Sequence, residues 1–138
     1  YGSVNGIPLV GLPGNPVSVM ISFEQFVRPM IKKMSGYPSS GWLLPRVRVI
    51  AGEDLPGASG RRHFMRGIIR RSSAADRYEV FMTGPQGSGI LRSMVLGNCL
   101  IVLTEHASVV KKGEIVEVEL LDYDLAATLS VGIGVADI

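Results

Sequence analysis

The sequence has 138 residues, of which 46% are apolar, and its 14 Lys and Arg against 12 Asp and Glu give a formal net charge of +2. A chain of this length and hydrophobicity buries enough surface to fold as one domain, or as a domain with a short appendage, which excludes a disordered chain. The single cysteine, Cys99, excludes a disulfide framework and a cysteine-based zinc cluster, and it indicates a reducing compartment. With no secretory leader and no apolar run of about 20 residues, we expect a cytoplasmic protein.

The first residues predict a strand followed by a tight turn. Residues 7–11 (IPLVG) form an apolar run typical of a short buried strand, and the Gly- and Pro-rich segment GLPGNP follows at 11–16. Asn15 is a favourable N-cap, and Pro16 fits the first helical position because its missing N–H has no helical partner there.

A helix is predicted from Pro16 to about Gly36. Apolar residues recur at three- and four-residue spacing, which places them on one helical face. Pro29 lies within this run, so a kink is expected near Gln25, whose carbonyl loses its helical partner. Gly36 and Pro38 end the helix.

The periodicity changes after a segment of linker composition at 37–45. Short alternating apolar runs between turn residues predict strands that close into a small antiparallel barrel or sandwich over 46–124. The predicted strands are 46–51, 63–70, 77–83, 98–104 and 114–121, with 90–96 as a possible sixth. The fold class is therefore mainly β, with a preceding strand, turn and helix. The tail at 125–138 is apolar without a clear period and has no assigned role.

The turn GLPGNPVS is the first candidate binding site. A Gly-rich turn between a strand and a helix presents backbone N–H groups to an anion, and the helix dipole adds positive charge. Gly14 allows a close approach to the backbone, while Asn15 and Ser18 offer side-chain hydrogen bonds. The alternative is a capped helix after a tight turn that binds nothing.

Five arginines within eleven residues form the second candidate: Arg61, Arg62, Arg66, Arg70 and Arg71. On a strand, the even-numbered ones would share a face that could bind an oxyanion through forked hydrogen bonds. A nucleic-acid patch and a solvated sheet face are the alternatives, and nucleic acid is the least favoured because Phe64 is the sole aromatic residue in the cluster.

Other segments carry weaker signals. The loop TGPQGSG at 83–89 has polar side chains beside a flexible backbone, but it lacks dinucleotide-binding spacing and is typical of a hairpin loop. His63 and His106 lack acidic neighbours at ligand spacing, so no metal site is expected. Cys99 lies in the apolar run NCLIVL and is expected to be a buried small residue rather than a nucleophile.

Five motifs, in order, resemble the molybdopterin molybdenumtransferase family, which includes MoeA and the gephyrin E domain. The resemblance covers residues 2–121. The motifs are GIPLVGLPGNPVSVMISFEQFVRPMI (6–31), GRRHFMRG (60–67), TGPQGSG (83–89), SMVLGNCLIVL (93–103) and VVKKGEIVEVELL (109–121). It implies that residues 1–36 end an α/β molybdopterin-binding domain and that 46–124 form the family's C-terminal β-domain.

The resemblance also implies an activity. Family members insert molybdenum from molybdate into adenylyl-molybdopterin, with release of AMP and with a divalent cation such as magnesium, whose site is expected outside this chain. Gly14, Asn15 and Ser18 match the family's pterin- and phosphate-binding turn. Arg66, Ser88 and Gln86 match the molybdate pocket. No catalytic residue is assigned.

The family's Pro-Met-Lys-Pro-Gly-Lys-Pro segment is expected before Tyr1, so we expect this chain to be part of a longer polypeptide and inactive alone. The resemblance implies a homodimer in the full-length form and a molybdopterin adenylyltransferase-type enzyme upstream, with no membrane partner. The alternative is a non-catalytic binding or scaffolding module, because the gephyrin branch of the family also anchors receptors.

Overall fold

Two short antiparallel strands, β1 (Gly2–Val4) and β2 (Ile7–Leu9), open the chain in a computed structural model that describes residues 1–58, 60–72, 77–87 and 91–121. The two-residue loop between them, Asn5 and Gly6, has positive φ at both positions (51° and 78°), which is the geometry of a type I′ hairpin turn. Ile7 and Leu9 are exposed, so the prediction of a buried strand is wrong for this chain. The reason is that the described residues contain only these two strands in the sheet.

The predicted helix is present and is interrupted where the sequence places the kink. Helix α1 (Pro16–Ser22) leads into a π-helical turn (Phe23–Val27), and α2 (Arg28–Met34) follows. The Arg28 N–H donates to the Phe23 carbonyl five residues back. A π-turn directly before Pro29 absorbs the residue that cannot donate in the helical ladder.

The segment predicted as a linker is locally ordered by hydrogen bonds. A 3₁₀ turn (Ser39–Gly41) follows α2, and Lys32 Nζ donates to the Gly41 carbonyl at 2.7 Å. The Trp42 indole N–H donates to the Tyr37 carbonyl at 2.7 Å. These contacts hold the segment against the end of α2.

Five strands form a closed barrel, which confirms the predicted barrel-like domain. The strands are β3 (Arg46–Ala51), β4 (His63–Arg71), β5 (Tyr78–Met82), β6 (Cys99–Leu103) and β7 (Ile115–Leu120), in the spatial order β3-β5-β4-β6-β7. Four of the neighbouring pairs are antiparallel, and β3 pairs with β5 in parallel. A ring with an odd number of strands cannot alternate direction throughout, so the closure itself requires a parallel pair.

The barrel interior is the hydrophobic core of the described chain. Its residues alternate along the strands as the period of two requires. The core is lined by Val49, Ala51, Leu55, Met65, Ile69, Val80, Cys99, Ile101, Leu103, Val116, Val118 and Leu120.

The segment predicted as a possible sixth strand is a short helix, α3 (Leu91–Leu96). Its apolar residues Leu91 and Val95 are four residues apart, a spacing that places two side chains on one face of a helix or of a strand. Both are exposed, and Ser93 is the residue of this helix that is buried. The strand prediction is therefore wrong here.

The chain divides into two compact units at the end of the predicted linker. The first contains Tyr1–Leu44 with Gly87 and Leu91, and the second contains Pro45–Gln86 with the described residues from Arg92 onward. The predicted domain end at 124 and the tail at 125–138 lie outside the described residues.

Candidate oxyanion site around Arg66

One arginine of the cluster, on strand β4, is buried, and the other four are exposed. Arg66 is 4% exposed, whereas the other four arginines of the cluster are exposed on the surface. A solvated face therefore describes those four, but not Arg66. A cation at this depth requires polar partners, because removing a charge from water costs several kcal/mol unless it is hydrogen-bonded.

The Arg66 guanidinium contacts neutral oxygens of Ser93 and Pro85. Its Nε donates to the buried Ser93 hydroxyl at 2.9 Å, and Nη2 lies 3.5 Å from the Pro85 carbonyl oxygen. Burial lowers the pKa of Arg66 below its ordinary value, but a guanidinium keeps its charge at neutral pH. The result is a buried, positively charged group whose contacts with Ser93 and Pro85 orient it without neutralising it.

Gln86 holds the main chain of the same arginine. The Arg66 N–H donates to Gln86 Oε1 at 2.9 Å, and Gln86 Nε2 donates back to the Arg66 carbonyl at 3.2 Å. The second N–H of the amide donates to the Gly84 carbonyl at 2.9 Å. The structure thus brings Gln86 to Arg66, but both of its donors are engaged by carbonyl oxygens. An anion can bind only donors, so the geometry favours positioning over direct contact for Gln86.

A second amide clamp holds β4 on its other side. The Ile69 N–H donates to Asn98 Oδ1 at 2.8 Å, and Asn98 Nδ2 donates to the Ile69 carbonyl at 3.2 Å. Gln86 and Asn98 therefore extend the hydrogen-bond ladders on the two edges of β4, on either side of Gly67. This fixes the backbone that carries Arg66.

Two glycines permit the close packing behind the site. A Cβ on Gly67 would lie 2.9 Å from Cys99 Sγ and from Ile101 Cγ1. A Cβ on Gly97 would lie 3.2 Å from the carbonyl oxygens of Gly67 and Ser93. A side chain at Gly97 would therefore crowd the β4 backbone at the end of α3.

In the candidate turn at the helix start, the side chain of Asn15 accepts hydrogen bonds from the first helical N–H groups. Asn15 is the N-cap, as predicted, and its Oδ1 accepts from the N–H groups of Val17 (3.2 Å) and Ser18 (3.5 Å). Asn15 Oδ1 therefore occupies these two N–H groups in this conformation, and binding of an anion by the turn stays a prediction. Gly14 has open space around it, because a Cβ there would meet nothing within 4 Å.

Residues 48–121 match the family described as the MoeA C-terminal region (domain IV). The chain belongs to the MoeA family. It is 37% identical over 120 residues to the molybdopterin molybdenumtransferase of Haemophilus influenzae, covering 86% of this chain and 29% of the relative. It is 32% identical over 123 residues to molybdopterin molybdenumtransferase 1 of Mycobacterium tuberculosis, covering 85% and 28%.

Solved structures of the family agree with the fold of this MoeA chain. A molybdenum cofactor biosynthesis protein from Pyrococcus furiosus superposes with a TM-score of 0.61 and 31% identity, over 78% of this chain and 36% of that one. A molybdopterin biosynthesis moeA protein from Pyrococcus horikoshii gives 0.62 and 29%, over 78% and 26%. The chain spans less than a third of the length of the two curated relatives above.

Of the predicted residues of the MoeA site, Ser88 lies outside the described residues. Ser93, which sequence reasoning did not select, is 2% exposed and contacts Arg66 directly. Its signal in the sequence is a single hydroxyl within the apolar segment SMVL, a position that is costly to bury without a partner.

The described residues of the MoeA chain offer neither a metal cluster nor a reactive thiol. Across 1–58, 60–72, 77–87 and 91–121, no group of three His, Cys, Asp or Glu side chains could hold a metal ion. Burial raises the pKa of the Cys99 thiol to about 12, which keeps it protonated. Within the same residues, no helix has the length and hydropathy needed to cross a membrane.

Proposed function

We propose that this chain is the C-terminal part of a molybdenum insertase that transfers molybdenum from molybdate to adenylyl-molybdopterin and releases AMP. The observation that carries the proposal is the buried Arg66 guanidinium, held by the Ser93 hydroxyl and the Pro85 carbonyl. Molybdate is a tetrahedral dianion whose oxygens only accept hydrogen bonds, so it requires cationic and neutral donors. The curated relatives named molybdopterin molybdenumtransferase support the same activity.

In this proposal Arg66 neutralises part of the charge of molybdate and fixes its orientation through a guanidinium fork. Ser88, two residues after Gln86 in the sequence, adds a hydroxyl donor. Gly14, Asn15 and Ser18 contribute to binding the molybdopterin phosphate. Magnesium, in the same proposal, is bound by other parts of the full-length protein. That protein is a homodimer which receives its substrate from a molybdopterin adenylyltransferase-type enzyme.

The experiment is calorimetry with sodium molybdate on the longest polypeptide that carries this sequence. Arg66→Lys keeps the charge but loses the fork, so we expect molybdate affinity to fall about tenfold or more. Arg70→Lys is the matched control, because Arg70 lies on the same strand and is exposed, and we expect its affinity to stay within about twofold of the parent.

Equal affinities for the parent and Arg66→Lys would contradict the role given to Arg66. Full turnover by the 138-residue chain alone would contradict the proposal that it is only part of the insertase. Binding of a partner peptide that is indifferent to both molybdate and Arg66 would favour a scaffolding module instead.

A further inference from the structure

Among the described residues, three polar or charged side chains are buried: Arg66, Ser93 and Glu119. Two of them form a pair with each other, through the 2.9 Å hydrogen bond from Arg66 Nε to Ser93 Oγ. Burying a hydroxyl costs free energy unless it is hydrogen-bonded, and Ser93 is only 2% exposed. Its contact with Arg66 offsets that desolvation cost.

Whether a hydrogen-bond partner is charged or neutral decides whether it also cancels the charge of an arginine. Glu119 accepts from Arg46 at 2.7 Å and 3.0 Å, and such a carboxylate largely cancels the charge of its arginine. Ser93 is neutral, so its contact with Arg66 adds a hydrogen bond without cancelling charge. Because the guanidinium is planar, the bond at Nε and the contact of Nη2 with the Pro85 carbonyl at 3.5 Å together restrict the plane in which the terminal nitrogens lie.

The position of Ser93 is itself fixed by close packing. Gly97 follows α3, and a Cβ there would lie 3.2 Å from the Ser93 carbonyl oxygen and 3.2 Å from that of Gly67. The Asn98 N–H donates to the Gly67 carbonyl at 3.0 Å. The serine is thus attached, through the end of α3, to the residue that directly follows Arg66 on β4.

We propose that Ser93 is a positioning residue for molybdate binding: its hydroxyl holds Nε of Arg66, so that the terminal nitrogens meet the oxyanion in an orientation set before binding. This inference rests on the proposed function, in which Arg66 binds molybdate. Orienting a long side chain in advance removes part of the entropy that binding would otherwise cost. The effect of Ser93 is therefore exerted through Arg66 rather than by contact with the anion.

The test compares two Ser93 variants and one control variant by calorimetry with sodium molybdate on the longest polypeptide that carries this sequence. Ser93→Ala removes the hydroxyl, and we expect affinity to fall about tenfold, the size of one hydrogen bond to a charged group. Ser93→Thr retains the hydroxyl and should stay within about threefold. Ser108→Ala, at an exposed position, is the control and should match the parent.

A spectroscopic measurement separates positioning from general stabilisation. In ¹⁵N spectra, the Arg66 Nε–H should exchange with water at least about tenfold faster in Ser93→Ala than in the parent, because it loses its acceptor. If Ser93→Ala does not fold, Ser93→Cys fills the same space with a poor acceptor and is expected to show the same two effects. Unchanged affinity in the folded variant would overturn the inference.

Failure of the proposed function has a different outcome. In that case Arg66→Lys binds molybdate as the parent does, or the parent does not bind it. If Arg66→Lys loses affinity while Ser93→Ala and Ser93→Cys keep it, Arg66 binds molybdate without help from Ser93, and only the inference is wrong.

Discussion

Arg46 and Glu119 are register partners on the neighbouring barrel strands β3 and β7, and their side chains form an ion pair. Arg46 Nη2 donates to Glu119 Oε1 at 2.7 Å and Nε donates to the same oxygen at 3.0 Å. The Glu119 side chain is 5% exposed, while that of Arg46 is 43% exposed. Loss of the ion pair therefore costs most at the Glu119 carboxylate, because a buried carboxylate cannot regain a full shell of water when its partner is removed.

We expect Arg46→Ala to lower the free energy of unfolding by about 1–3 kcal/mol, because it removes the cation from a buried carboxylate. Urea unfolding followed by circular dichroism measures the change. Arg48→Ala is the control: Arg48 lies on the same strand, is exposed, and should change stability by less than about 0.5 kcal/mol. Equal stability of the two variants would show that the pair contributes nothing.

Gly67 is expected to tolerate no side chain. In Gly67→Ala the new Cβ would lie 2.9 Å from Cys99 Sγ and from Ile101 Cγ1, inside the packed barrel. Overpacking of this kind costs about 1–3 kcal/mol, measured as a shift of the urea midpoint. Gly11→Ala is the control, because a Cβ there would meet nothing within 4 Å. A Gly67→Ala protein as stable as Gly11→Ala would contradict the packing.

The barrel strands could be predicted from the sequence because their signal is local. Alternation of apolar and polar residues predicted 46–51 and 63–70, and the structure has Arg46–Ala51 and His63–Arg71. The segment 90–96 was predicted wrongly because it is short, and because the four-residue spacing of Leu91 and Val95 fits a strand face as well as a helical face. The parallel pairing of β3 with β5 results from the closure of a five-stranded barrel, and closure cannot be predicted from a local residue pattern.

The site was only partly predictable for a related reason. A resemblance to a family identified Arg66 and Gln86, but the bond from Arg66 to Ser93 joins residues 27 positions apart, and that from Arg66 to Gln86 joins residues 20 apart. Contacts of this kind depend on the register of β4 and on the end of α3. The burial of Arg66 could not be predicted either, because it belongs to a cluster whose other four arginines are exposed.

Cys99 is expected to make the protein less stable in alkaline solution. Burial raises the pKa of its thiol from 9.0 to about 12, so between these values the unfolded thiol is ionised while the folded thiol keeps its proton. The unfolded state then binds fewer protons, and stability falls as pH rises through 9 towards 12. Cys99→Ala lacks this contribution, so its urea midpoint should fall less steeply between about pH 8 and pH 11. Parallel curves would contradict the assignment.

The two amide clamps on β4 are structurally alike and should differ in function. Gln86→Ala and Asn98→Ala each remove a reciprocal pair of hydrogen bonds to the β4 main chain, and each should lower stability by about 1–3 kcal/mol. Gln86 clamps Arg66 itself, whereas Asn98 clamps Ile69, whose side chain lies in the barrel core. We therefore expect Gln86→Ala to weaken molybdate binding by about tenfold, and Asn98→Ala to leave it within about twofold.

Calorimetry on both variants, at a temperature where circular dichroism shows each to be folded, measures this difference. Gln86→Glu provides a second check, because it keeps an acceptor for the Arg66 N–H but replaces the two donors with an oxygen that faces the carbonyls of Arg66 and Gly84. It should therefore bind molybdate no better than Gln86→Ala. Equal losses of affinity in Gln86→Ala and Asn98→Ala would mean that β4 responds as one rigid element, and that Gln86 has no separate part in placing Arg66.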